Sequence, residues 1–195
     1  MNTPTARYRI DLVRIATDAM RERGLEPAFP PALLQELASI TGPGRDTDPH
    51  IRDLTSLPWC SLDNDDSLDL DQLTACEALA DGQVRLRVAG ADVDAVVKKG
   101  SAIDQHAWIN TTSVYTSAKV FPMLPERLST DLTSLNPDQD RLALVSEMVV
   151  AGDASIVQST VYRALVRNKA KLAYDAVSAW IDGSAALPQP ARAVP

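Results

Sequence analysis

Histidine and cysteine are scarce, with two of each in 195 residues, and that shortage removes several chemistries. Cys60 and Cys76 are too few for a disulfide framework and form no CxxC pair. They are expected as small buried side chains in a reducing compartment. Only His50 and His106 could join them, at spacings unlike a zinc motif, so no zinc site is expected. Long apolar runs are missing too. None approaches the length a bilayer demands, and the apolar stretch near the amino terminus is broken by Asp11, Arg14 and Asp18, unlike a signal peptide. The expectation is a soluble, cytoplasmic protein with no membrane partner. Basic charge is also short, 19 Lys and Arg against 26 Asp and Glu, for a net charge of −7. That balance opposes non-specific wrapping of nucleic acid, which depends on Lys and Arg releasing counterions from phosphates.

What is present can build a core. Hydrophobic residues make up 45% of the chain and charged residues 23%, ordinary proportions for a globular domain. The spacing of apolar residues predicts a helix over residues 5–23, closed by Gly24, and a second opened by Pro30 and Pro31 and ended by Gly42-Pro43-Gly44. Leu57 to Leu62 reads as a short strand. Leu73 to Glu77, a turn at Asp81-Gly82 and alternating Val84, Leu86 and Val88 read as a hairpin. Ser101 is placed to cap a helix running through Trp108 towards Tyr115. A second hairpin is expected over Asp140 to Val150 and Ala154 to Val166, and a helix from Leu172 to Ile181, stopped by Gly183. Strands and helices in irregular order point to an α+β fold. The organisation read from the sequence is a helical leader over 1–44, a main body over 45–183, and a Pro-rich linker or frayed tail over 184–195.

The densest chemical signal lies between residues 63 and 72. Asp63, Asp65, Asp66, Asp69 and Asp71 place five carboxylates within nine positions, and each raises the pKa of its neighbours. Such a run either lies in solvent or is neutralised by a cation. Hard cations such as Mg²⁺ and Mn²⁺ prefer oxygen ligands. In an extended backbone, Asp69 and Asp71 would share one face while Leu68 and Leu70 share the other. A calcium loop of EF-hand type fails in both registers: starting at Asp63 it puts Leu68 and Thr74, and starting at Asp65 it puts Leu70 and Cys76, where glycine and glutamate are needed. A solvated loop and a metal loop both remain open on these residues alone.

The wider pattern adds to this. Asp63 after a short strand, Asp69 six residues on, and then Asp71 and Gln72 follow a recognisable acidic spacing. In order come Ala91-Asp92-Val93, Gly100-Ser101-Ala102-Ile103-Asp104, Ser113-Val114-Tyr115, Pro122-Met123-Leu124-Pro125, Leu128-Ser129 with Ser134-Leu135-Asn136-Pro137, and Lys169-Ala170-Lys171-Leu172-Ala173-Tyr174. Collinear and at these spacings, they resemble the front part of the RNB-type catalytic domain of the ribonuclease II family. The resemblance runs from Leu54 to Ile181.

The resemblance implies a mixed, largely antiparallel sheet flanked by helices. It also implies a metal-dependent exoribonuclease that hydrolyses single-stranded RNA from the 3′ end to nucleoside 5′-monophosphates. Asp63, Asp69, Asp71 and Gln72 would be the ligands of Mg²⁺ or Mn²⁺, with Asp69 and Asp71 catalytic and Asp71 the least dispensable. Tyr115 and Tyr174 would contact RNA near its 3′ end, where an aromatic face can stack an unpaired base without reading its identity. Trp59, Trp108, Trp180 and Met123 are expected in the core, and His106, without an evident partner, is expected in a structural or surface role rather than as a general base. Arg163, Arg167, Lys169 and Lys171, uninterrupted by acid, could track a phosphate backbone or guard a solvated edge.

Three departures stand out. Gln72 replaces an acid, Asn110 stands where the family usually has arginine, and the later half of the family's domain and an S1-type module lie outside this sequence. They leave a second reading, a catalytically impaired RNA-binding or interaction module of the same fold.

Overall fold

The computed structural model describes residues 11–194. The chain divides into two compact units, one made of Met1–Ser39 with Lys99–Pro125 and the other of Ile40–Lys98 with Glu126–Pro195.

The first unit is helical. Helix α1 spans Leu12–Glu22, and Asp11 caps it by accepting from the Arg14 N–H at 2.9 Å; residues 5–10 of the expected helix lie outside the described residues. Helix α2 spans Pro31–Ser39. Helix α3, Ala102–Asn110, is capped by Ser101 as its sequence foretold. It stops short of Tyr115 because Thr111 turns left-handed, at φ 58°, and closes the last turn with an N–H to Ala107 O bond of 2.7 Å. The β-branched pair Thr111-Thr112 gives the helix little reason to continue.

Along α3, Ile103, His106 and Asn110 are buried at helical spacing. That leaves Trp108 on the opposite face, 84% exposed rather than in the core. His106 is not without partners. Its Nδ1 lies 2.9 Å from Glu26 Oε2, and Asn110 Nδ2 lies 3.0 Å from its Nε2. Asn110 also donates to Glu26 O and accepts from Glu26 N–H, so every polar atom of its amide is used.

The second unit is built on a sheet of seven strands. These are β1 (Arg52–Asp53), β2 (Cys60–Asp63), β3 (Gln72–Ala78), β4 (Val84–Ala91), β7 (Asp140–Val150), β8 (Ile156–Arg167) and β9 (Ala170–Ala173), in spatial order β1-β8-β7-β4-β3-β2-β9. Strands β5 (Val114–Tyr115) and β6 (Val120–Phe121) form a separate two-stranded ribbon in the first unit. The central neighbours are antiparallel, and β1–β8 and β2–β9 at the margins are parallel. The α+β class and the largely antiparallel sheet agree with expectation.

Both hairpins form where alternation and turn residues place them. Asp81 and Gly82 take positive φ, 58° and 71°, at the β3–β4 turn, a conformation glycine adopts without penalty. The expected first strand is shorter than Leu57 to Leu62, because Pro58 has no N–H to give a ladder and Trp59 N–H turns back to Leu57 O. Residues 170–173, read in part as helix, are strand β9; parallel pairing with β2 uses their backbone, and helix α4 begins only at Tyr174 (Tyr174–Ile181). The tail carries a 3₁₀ turn, Gln189–Ala193, with proline in its first turn.

One face of the sheet carries Leu73, Ala75, Ala89, Ala143, Val145, Ala164 and Val166, packed around fully buried Trp59. Small alanines make room for the indole, whose Nε1–H is satisfied by Leu54 O at 2.9 Å. Trp180 remains 45% exposed, and Cys60 is half-buried while Cys76 is exposed. The cysteines are thus not the buried pair expected, because β3 turns Cys76 away from the face that holds Leu73 and Ala75.

Candidate metal centre

Three sequence segments far apart in the chain converge on the acidic loop. It leaves β2 at Asp63 and enters β3 at Gln72. Its first half is a tight turn in which Ser67 N–H bonds Asn64 O at 3.1 Å. Asp63 is oriented from within that turn, accepting from Asn64 N–H at 2.8 Å and from the Ser67 hydroxyl at 3.1 Å. From outside, Lys171 on β9 donates to Asp65 O at 2.9 Å and Ser67 O at 2.7 Å.

The second half, residues 68–71, is held by a different segment. A six-residue π-turn, Arg127–Leu132, anchored by buried Leu128 and Leu132, delivers Ser134 and Leu135 beside it. The Ser134 hydroxyl accepts from Leu70 N–H at 3.1 Å and donates to Leu68 O at 3.0 Å. Leu135 N–H then bonds Leu70 O at 2.8 Å, and Ala91 N–H bonds Asp71 O at 2.9 Å. Leu70 is buried beneath the loop while Asp69 and Asp71 are exposed, but Leu68, expected on the same face as Leu70, is 66% exposed, because it directly follows the turn and the extended segment starts after it.

Buried Asn168 ties the supports together, donating to Ser61 Oγ and Leu135 O at 3.0 Å each and accepting from Ala170 N–H at 3.1 Å. Sequence reasoning missed Ser134, Asn168 and the role of Lys171. The available signal was their place inside two of the collinear motifs, or beside one.

The loop's electrostatics are those of unbalanced negative charge. Partial burial holds the Asp69 carboxyl above the usual carboxylate range, and the nearby charges of Asp71 and Asp63 push it further up. As a residue Asp69 is still solvent-accessible, as are Asp71 and Gln72. Hard oxygen donors in mutual repulsion are the chemistry a divalent cation relieves, and in kind these residues fit one. Among the described residues, however, no three Asp, Glu, His or Cys side chains converge closely enough to hold an ion as they stand.

Tyr174 opens α4 directly after Ala173, the register partner of Asp63, and is 51% exposed. Tyr115 is 75% exposed and belongs to the other unit. The basic run is largely consumed inside the protein. Arg163 bonds Asp46 at 2.6 Å and Asp92 at 2.7 Å, Arg167 grips Asp140 at 2.6 and 3.0 Å, and Lys171 is committed to the acidic loop. Of that run, only Lys169 has no ion pair or side-chain hydrogen bond among the described residues. Asn110, the departure from the arginine pattern, lies buried in the His106 network rather than at a surface.

A family model described as RNB domain matches residues 51–193. Ribonuclease R of Vibrio parahaemolyticus serotype O3:K6 is 42% identical over 135 residues, covering 69% of this chain and 16% of that protein. Ribonuclease R of Vibrio cholerae serotype O1 is 36% identical over 170 residues, 87% of this chain and 21% of that protein. A solved structure of Mycoplasma genitalium RNase R in complex with double-stranded RNA superposes with a TM-score of 0.80 at 30% identity, covering 90% of this chain and 31% of that one. The chain thus spans about a fifth of the length of the curated relatives it matches.

Proposed function

From the premise that this chain belongs to the RNB domain family, we propose that it carries the acidic part of a cytoplasmic, metal-dependent exoribonuclease site that hydrolyses single-stranded RNA from the 3′ end to nucleoside 5′-monophosphates. One observation carries the reading: Asp69 sits under the repulsion of Asp71 and Asp63, on a loop that backbone and side-chain bonds hold in place. Asp63, Asp69 and Asp71 would hold Mg²⁺ or Mn²⁺, with the Gln72 amide oxygen as a neutral donor. When bound, the cation supplies positive charge that polarises a phosphate oxygen and makes a water nucleophilic.

The chain's own residues supply position. Asp63 arrives already oriented by Asn64 and Ser67, and Leu70, sealed under the loop, directs Asp69 and Asp71 outward. Tyr174 and Tyr115 offer exposed aromatic faces on which unpaired bases can stack at any sequence. Of the basic run, Arg163, Arg167 and Lys171 are held in internal bonds, which leaves Lys169 as its member available to a phosphate.

The test is cleavage of a 5′-labelled, unstructured RNA oligonucleotide with Mg²⁺ and with EDTA, beside Asp71→Asn. The expected result is a ladder shortening from the 3′ end, seen only with metal and only in the wild type. Equal rates in Asp71→Asn would refute the assignment. Binding of the same RNA in EDTA, unaltered by loss of the aspartates and without cleavage, would favour an interaction module instead.

A further inference from the structure

We infer that Lys171 is a positioning residue for the metal-binding loop, acting through the backbone of Asp65 and Ser67 and not by touching substrate. The inference rests on the metal reading given above and assigns it a part that lies about a hundred residues further along the chain.

The geometry is specific. Lys171 sits on β9 opposite Ser61, two positions before Ala173, which pairs with Asp63. The β2–β9 ladder therefore fixes the root of the lysine side chain relative to the start of the acidic loop. Its ammonium reaches two carbonyls on the turn, Asp65 O at 2.9 Å and Ser67 O at 2.7 Å. Both bonds are charge-assisted and so stronger than neutral ones. Ser67 is also the residue whose hydroxyl orients Asp63. Lys171 thus reaches Asp63 twice, through the register of β9 and through the turn that carries Ser67.

The alternatives for this lysine are weaker. An ammonium meant for RNA phosphate would extend away from the loop, whereas both contacts of Lys171 lie on it. An ammonium meant to neutralise the aspartates would bond their carboxylates, and the bonds formed are to main-chain oxygens. Such a contact leaves the aspartate carboxylates free of the ammonium. It also sets the turn before a cation arrives, which lowers the ordering cost of binding. Groups hydrogen-bonded directly to a metal ligand typically change metal affinity by about 10- to 100-fold when removed; Lys171 acts one bond further out, through Ser67, and belongs at the low end of that range.

The experiment is a Mn²⁺ titration of the full chain, read by electron paramagnetic resonance, comparing wild type, Lys171→Met and Lys171→Arg. Methionine keeps the aliphatic stem and loses only the ammonium. The expected result is an apparent affinity weakened by about tenfold in Lys171→Met, with most of it recovered in Lys171→Arg, and a native far-ultraviolet circular dichroism spectrum in EDTA for all three proteins. Amide hydrogen exchange in EDTA is the second readout: residues 64–67 should exchange faster in Lys171→Met while β7 and β8 do not. Equal Mn²⁺ affinity in wild type and Lys171→Met would overturn the positioning role and leave the metal reading standing. A wild type that binds no Mn²⁺ would overturn both.

Discussion

Ser134→Ala is the sharpest test of how the acidic loop is held. The Ser134 side chain is 1% exposed and makes two backbone bonds to the loop, accepting from Leu70 N–H at 3.1 Å and donating to Leu68 O at 3.0 Å. Alanine removes both while leaving a space of one oxygen. The two losses are unequal. Leu68 is exposed, so its carbonyl can turn to water, but Leu70 is 2% exposed and its N–H has nowhere else to go. A buried donor left unsatisfied costs about 1–3 kcal/mol, so a destabilisation of about 2 kcal/mol is expected. For a chain of this size that lowers the thermal midpoint by about 4–8 °C. The assay is urea unfolding followed by tryptophan fluorescence, with Trp59 reporting from the core of the same unit. The slope with denaturant should be unchanged, since the same surface is exposed. A loss below about 0.5 kcal/mol would refute the claim that this hydroxyl is the sole partner of the Leu70 N–H.

Three further outcomes follow from the same bonds. Asn110→Ala strands His106 Nε2 and both backbone groups of Glu26, and should cost about 2–4 kcal/mol; unfolding followed through Trp108 in a Trp59→Phe, Trp180→Phe background reads it, and an unmoved midpoint would count against the network. Asp69 is held high by burial and by Asp71 and Asp63, so its ionised form is disfavoured more in the folded chain than in the unfolded one. Its contribution is destabilising at neutral pH and relieved on acidification; Asp69→Asn should therefore raise the unfolding free energy in EDTA, by at most about 1 kcal/mol after solvent screening, and a lower value would contradict the repulsion. The opposite sign applies to Asp46, Glu77 and Asp140, held below their ordinary values chiefly by hydrogen bonds from Arg163, Arg85 and Arg167. Their stabilisation is present above the unfolded carboxylate range and disappears as pH falls below about 4, so thermal midpoints measured between pH 3 and 7 should decline only at the acid end.

Much of this protein is legible locally. Period-two alternation specifies two hairpins, the first helped by turn residues at Asp81-Gly82, and Ser101 specifies where α3 begins, because each signal acts over a few neighbouring positions. The acidic run was legible as well, since like charges so close in sequence stay close in any fold. Local pattern misjudged two kinds of residue. The residue type of Trp108 suggests core, yet the helix face is set by Ile103, His106 and Asn110. Residues 170–173 were read partly as helix, yet they pair with β2, and nothing within four residues of them encodes that partner.

The amino-acid sequence alone determined the α+β class, the two hairpins, the family resemblance and the set of carboxylates, all of which depend on composition, spacing and nearest neighbours. Only the tertiary structure decided which groups hold those carboxylates in place and which cations were available for RNA. Ser134 bonds a backbone 64 residues away and Lys171 one 104 residues away. Arg163, which looked free for phosphate, closes on Asp46 at a separation of 117. Partners at such separations leave no periodic trace along the chain, because they are chosen by strand order and register, and those are settled when the sheet as a whole buries its core.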